Sequence, residues 1–230
     1  METETNSNSA SKVNYSTPVA IVLAGLIIAG AMFLTDSKKA VVPEKVDLIK
    51  QVNIEGSPFI GNPNAKVVIV EWSDYQCPAC QYADQNFVTP LVADYINAGK
   101  VKLVFKDFAF LGPDSQAIAL TARAVWEAYP DKFYQWHNIF FDNQGKENSG
   151  WATKAKIASL NSKVAGLDQA IIDNLIAKNS AIYQAAIDAD RAEGANLGVN
   201  STPSFVMGDK LQVGVPQYSV FKLAIDLLLK

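Results

Sequence analysis

The only two cysteines of the chain stand three positions apart in the run Cys77-Pro78-Ala79-Cys80. Thiols at that spacing share one helical turn, so they can close into a disulfide and open again. If a helix starts here, the first sulfur faces the positive end of its dipole, which favours the thiolate. The thiolate is both the attacking and the leaving group of thiol–disulfide exchange, and a redox dithiol is the leading reading. A pair of inert core cysteines and half of a metal site are the alternatives. A zinc site needs more donors than one CxxC supplies, and His137, the only histidine, has no ligand-like partner at metal-site spacing.

Such a dithiol needs a strand that ends, and a helix that begins, at the motif. Val67-Val68-Ile69-Val70 is a continuous β-branched run, the pattern of a central strand covered on both faces, with Lys66 and Trp72 near its limits. Pro78 to Ile96 reads as a helix, with Pro78 tolerated in its first turn and Pro90 expected to bend it. Val101 to Lys106 supplies a second strand, so the three pieces make a βαβ unit with parallel strands and a right-handed crossover. From Ser115 to Leu197 only helical patterns follow: Ile118, Thr121, Ala122 and Val125 on one face, Phe133, Trp136 and Phe140 on another, then an alanine-rich helix around Ile182 to Ala195. Strand character returns at Ser204 to Met207 and Leu211 to Val213 around a Gly208-Asp209 turn. A closing helix carries Val220, Phe221, Ala224, Ile225, Leu228 and Leu229 at helical spacing. The fold class is α/β, in the order βαβ, helical insertion at about residues 113–197, then ββα.

At 230 residues, 49% hydrophobic and 19% charged, the chain can bury one good-sized core. A net charge of -3 offers no basic footprint, which argues against a nucleic-acid partner. No phosphate-cradling glycine loop, HExxH or glycine-flanked serine elbow is present, so the dithiol has no rival as the chemistry. Residues 1–17 form a polar tail. Pro18 to Leu34 runs without a charge and, with its flanking threonine Thr35, gives a segment at 18–35 near the lower length limit for a bilayer-spanning helix. It reads as an uncleaved transmembrane anchor, longer than the usual core of a signal segment; the alternative is a signal cleaved at Ala29-Gly30-Ala31. Lys38 and Lys39 outnumber Lys12, which on a literal count puts the large domain in the cytoplasm, but a large trailing domain translocates largely regardless of local charge. A persistent disulfide function belongs in an oxidising compartment, so the domain is expected outside the cytoplasm. Residues 36–54 then read as a tether and 55–230 as the domain.

Four stretches, together with this order of elements, resemble the DsbA-like branch of the thioredoxin fold, the extracytoplasmic thiol-disulfide oxidoreductases. They are Gly61-Asn62-Pro63-Asn64-Ala65, Glu71-Trp72-Ser73-Asp74-Tyr75-Gln76-Cys77-Pro78-Ala79-Cys80, Gly198-Val199-Asn200-Ser201-Thr202-Pro203-Ser204-Phe205, and Gly214-Val215-Pro216-Gln217-Tyr218. The resemblance covers about Val52 to Lys230 and implies a role for several positions. Cys77 is the exposed nucleophile and Cys80 the buried resolving thiol. Pro203 is a cis-proline against the dithiol, and Thr202 offers backbone groups to an extended substrate segment. Glu71 falls where the family carries an acid beneath the active site, able to exchange a proton with Cys80; a strand-end glutamate reaching solvent is the alternative. Asp84 also falls at an acid position of the family, or is a solvated helix-face charge. Lys106 could pair with Glu71 or lie on the surface, and Trp72, Tyr75 and Trp126 read as core or rim aromatics. The dipeptide Pro78-Ala79 lacks the histidine of the strongly oxidising members, which predicts an intermediate oxidant.

The function implied is the introduction of disulfides into reduced or misfolded extracytoplasmic proteins through a Cys77 mixed disulfide. No cofactor is expected beyond the Cys77–Cys80 disulfide itself, and a membrane quinone-linked partner is expected to reoxidise it. The alternatives are a reductase or isomerase of the same fold, and a peptide-binding or chaperone module with a structural disulfide.

Overall fold

The β-branched run is the middle of a five-stranded sheet. The computed structural model describes residues 47–230, so the expected anchor at 18–35 and the start of the tether lie outside the described residues. No helix among the described residues is long and apolar enough to cross a membrane.

The strands are β1 (Phe59–Gly61), β2 (Val67–Ser73), β3 (Val101–Asp107), β4 (Ser204–Met207) and β5 (Lys210–Val213). Their order across the sheet is β1-β3-β2-β4-β5. Only β2 and β3 run parallel, as the crossover between them requires; the other pairs are antiparallel. The short edge strand β1 is an addition to the order expected from the sequence, where three residues are too few to show a period of two. Pleating divides β2 between two cores. Ile69 faces one with Leu103, Phe105 and Phe205; Val70 and Trp72 face the other with Val104 and Val206.

The first helix, α1 (residues 78–96), begins as Pro78–Ala83. It passes through a π-helical segment Asp84–Val88, an α-helical turn Thr89–Leu91 holding Pro90, and a second π segment Val92–Ile96. The disturbance expected at Pro90 is thus taken up by two widened stretches flanking a ring that cannot donate a backbone hydrogen bond. The insertion is all helical: α2 (Pro113–Ala128), α3 (Phe133–Asp142), α4 (Lys154–Asn161) and α5 (Gln169–Asn196). The last of these is much longer than the alanine-rich stretch suggested, and Asp168 caps it by accepting from the Ala170 N–H. Near its end Gly194 lets the Trp72 indole lie against the helix, where a Cβ would come within 2.8 Å of the ring nitrogen. A last helix, α6 (Tyr218–Leu229), buries Phe221 and Ile225 and leaves Val220 and Leu228 exposed.

The end of the stretch read as a tether is attached to this body. Leu48–Gln51 forms a short 3₁₀ turn, Val52 is buried in the Trp72 core, and the Ile49 N–H donates to the Gly208 carbonyl.

Candidate active site

The site forms where β2 stops. At the strand end Asp74 is buried, and its carboxylate accepts from the Gln76, Phe110 and Leu111 N–H groups and from the Ser115 hydroxyl. That one side chain ties the end of β2 to the loop after β3 and to the start of α2. The Cys77 N–H donates to the Asp74 carbonyl, which turns the chain into α1 with Cys77 as its N-cap residue. The insertion holds the same corner from the other side. The Gln144 amide donates to the carbonyls of Tyr75 and Cys77 at 2.9 and 3.1 Å, and Gln81 donates to the Phe141 carbonyl.

Both thiols are free, Cys77 at 9% exposure and Cys80 at 0%. The Cys77 thiol acidity is raised, its pKa lowered to about 6, chiefly by a hydrogen bond from the Cys80 thiol; the Thr202 hydroxyl and the Cys80 and Ala79 N–H groups add to this, against the opposing effect of burial. Cys77 is the N-cap residue of α1, and its side chain makes no cap hydrogen bond. Cys80 is pushed well above the ordinary thiol range by burial, and further by the hydrogen bond it gives to Cys77. The two thiols thus differ sharply in acidity, Cys77 drawn down and Cys80 pushed up.

Thr202 and Pro203 lie across from the dithiol. Their peptide bond is cis, and the Cys77 thiol donates to the Thr202 carbonyl at 3.4 Å. Pro78 and Ala79 follow Cys77 as the first residues of α1, and Ala79 is exposed.

Glu71 is fully buried, one of the two alternatives left open by the sequence, and neither carboxyl oxygen has a hydrogen-bond partner. Burial, and then the charge of Asp84, push its pKa well above the usual carboxylate range. Asp84 is itself 3% exposed, not a solvated helix-face charge. Its Oδ1 lies 3.3 Å from His137 Nε2, and the other ring nitrogen, Nδ1, is 2.8 Å from the Tyr75 hydroxyl.

Lys106 takes neither position suggested for it. It is buried on β3, but Glu71 is in register with Phe105 while Lys106 is opposite Trp72, so pleating sends the lysine to the far face of the sheet. There it pairs with Asp190 at 2.7 Å and Glu193 at 3.2 Å. Trp72 and Tyr75 are core aromatics, Trp72 donating to the Asp190 carbonyl; Trp126 packs edge-on against Phe59 and Phe133.

Asp74, Gln76, Gln144 and His137 were not identified as site residues from the sequence. An aspartate two residues before a turn N–H is a local signal that could have singled out Asp74. Gln144 and His137 reach the site from the insertion and carry no local signal.

The model of the family described as Thioredoxin matches residues 53–226. The chain belongs to the thioredoxin family. Disulfide bond formation protein D of Bacillus subtilis is 28% identical over 78% of this chain and 80% of its own length, and the probable protein of that name from Bacillus cereus is 30% identical over 74% and 78%. Among solved structures, oxidised BdbD of Bacillus subtilis superposes with a TM-score of 0.69 at 26% identity, over 77% of this chain and 95% of that one. The thiol-disulfide exchange protein alpha-DsbA2 of Wolbachia pipientis gives 0.70 at 27% identity, over 78% and 91%. The protein is a DsbA-like thiol-disulfide oxidoreductase.

Proposed function

We propose that this oxidoreductase acts as an oxidant, introducing disulfides into reduced or misfolded extracytoplasmic proteins through a mixed disulfide at Cys77. The observation that carries the reading is the contrast between the two thiols, Cys77 drawn down to about 6 and Cys80 pushed up. A stabilised thiolate belongs only to the reduced form, so it favours reduction of the protein's own disulfide and makes it an oxidant of others. A substrate thiolate attacks Cys77 Sγ, the Cys77–Cys80 bond breaks, and Cys80 leaves with the electron pair and takes up a proton. A second substrate thiolate then attacks the substrate sulfur of the mixed disulfide and Cys77 leaves as thiolate. The substrate has lost two electrons and the protein has gained them.

In this reading Glu71 gives Cys80 its proton and takes it back on reoxidation, a role supported by burial beside the dithiol without a competing partner. Extended substrate is held along the Thr202–Pro203 segment through backbone groups. The Cys77–Cys80 disulfide is the only redox group required, the 18–35 segment anchors the chain to a membrane, and a quinone-linked membrane protein regenerates the disulfide.

Equilibration of the dithiol with glutathione tests the direction. The expected potential lies between about -270 mV, typical of thioredoxin, and about -120 mV, typical of DsbA, and above that of the glutathione pool. A value at or below the thioredoxin end would overturn the oxidant reading in favour of a reductase.

A further inference from the structure

The last helix, α6, is apolar on two sides. Phe221 and Ile225 turn inward, with the Phe221 and Phe87 ring centroids 5.0 Å apart. On the other side Val220, Leu223 and Leu227 recur at helical spacing with 59%, 65% and 68% of their surface exposed, and Leu228 stands beside them at 43%. A helix that only covers a sheet carries polar residues there, whereas a contiguous apolar stripe marks a surface that something else covers. Exposed Lys100 and Lys230 share a crevice with Leu223 and Leu227. Asp226, the acid of that crevice, accepts from the Tyr95 hydroxyl at 2.6 Å. Leucines flanked by lysines suit a helix lying in the interface of a bilayer with anionic headgroups, where the lysine stems cover apolar surface and the ammonium groups meet phosphate.

The Leu228 end of α6 is also where the chain enters the domain. The Ile49 N–H donates to the Gly208 carbonyl at 2.8 Å, and a Cβ on Gly208 would stand 3.9 Å from both methyl carbons of Leu228. Only residues 36–46 separate this entry from the apolar segment at 18–35, a stretch that reaches no more than about 40 Å. The dithiol lies at the other end of the sheet. Met207 is opposite Ile69 in the antiparallel pair, so Gly208 is at the start of β2, while Cys77 follows the end of that strand about 20 Å away.

We propose that the Val220, Leu223 and Leu227 face of α6 is a membrane-docking surface, which rests on an anionic bilayer and holds the dithiol at the end of the domain away from the lipid. The inference depends on the anchor reading given above for 18–35, which keeps the domain within reach of a bilayer. Docking adds an orientation that a tether alone does not impose: α6 at the headgroups, and Cys77 facing the clients in solution.

The full chain, reconstituted in vesicles of phosphatidylcholine and phosphatidylglycerol, tests this with a photoreactive benzophenone side chain in place of Leu227. Covalent adducts with lipid are expected on illumination, read by mass spectrometry. The same side chain in place of Lys146, exposed on the insertion near Gln144 and so at the dithiol end, should give none. Adding Leu223→Glu to the probe at 227 should cut the lipid adduct by about tenfold, the docked population lost with one leucine that no longer enters the interface. Leu223 is exposed in the domain itself, so that change leaves the fold intact, and thermal melting checks it. Crosslinks from 227 to a second copy or within the chain, no adduct at all, equal lipid labelling from 146, or a yield untouched by Leu223→Glu would each overturn the proposal. Alkaline carbonate extraction of the same vesicles separates it from the anchor reading. If the chain is released, the anchor reading fails and this inference falls with it. If the chain is retained and the probe at 227 labels no lipid, the docking face fails alone.

Discussion

Two groups of buried charge lie on opposite faces of the same two strands, and they are built in opposite ways. On the Trp72 face, Lys106 and Arg123 converge on Asp190, Arg123 also holds Asp107 at 2.7 Å, and the Asp107 N–H donates to Asp190. Each of those ions has a partner of opposite sign. On the Cys80 face, neither Glu71 oxygen nor Asp84 Oδ1 has a hydrogen-bond partner, and His137 Nε2 lies 3.3 Å from Asp84 Oδ1 without a hydrogen bond. Burial of charge is costly on both faces. Where the charges are paired they bind α2 and α5 to the sheet. Where they are left unpaired they lie on the face of Cys80, where the proton exchange proposed for Glu71 would take place.

The largest effect should come from the dithiol on the unpaired face. Cys77→Ser is expected to abolish exchange, while Cys80→Ser still attacks but cannot resolve, so mixed disulfides with client proteins accumulate on non-reducing gels. Equal trapping by both variants would break the assignment of nucleophile and resolving thiol.

On the paired face, Asp190→Ala leaves Lys106 and Arg123 buried without their shared partner and should cost about 3–5 kcal/mol in urea unfolding. The dithiol potential of the folded protein should not move. A shift in potential would mean that the two faces are not independent.

Glu71→Gln should do the reverse, slowing resolution by about 100-fold while leaving stability at neutral pH unchanged or improved. The sign follows from the shift: an acid with a raised folded pKa destabilises the fold above its ordinary range, so any gain from glutamine should grow as pH rises. A large loss of stability in this variant would mean that Glu71 is structural.

The smallest effect is the thiolate itself. A Cys77 pKa lowered from 9.0 to about 6 stabilises the reduced fold fully above the unfolded value, and the contribution is lost as pH falls through 6. Its size at pH 7 is about 1.4 kcal/mol. Melting of the reduced protein against Cys77→Ser from pH 5 to pH 8 should show the difference appear as pH rises, with thiolate absorbance following the same curve.

Most of the fold could be read from local patterns, because the β-branched run, Pro78 at a helix start and the Gly208-Asp209 turn each act within a few residues. The edge strand Phe59–Gly61 escaped because it is too short to show alternation, and the apolar residues of α6 continue round to the exposed side, so their spacing does not by itself mark the buried face. The polar part of the site was less accessible. The Lys106 side chain could be assigned only with the register Trp72↔Lys106 known, since a shift of one residue would have turned it toward Glu71.

By itself the sequence determined that two thiols share the first turn of a helix behind a buried strand, since spacing, proline and β-branching specify that locally. Only the tertiary structure decided that Glu71 stays unpaired, that Lys106 is taken by Asp190 on α5, and that His137 on α3 hydrogen-bonds Tyr75 and lies beside Asp84. Those partners come from elements far apart along the chain. Which of them meet depends on how the insertion packs across a pleated sheet, and that is a property of the whole core.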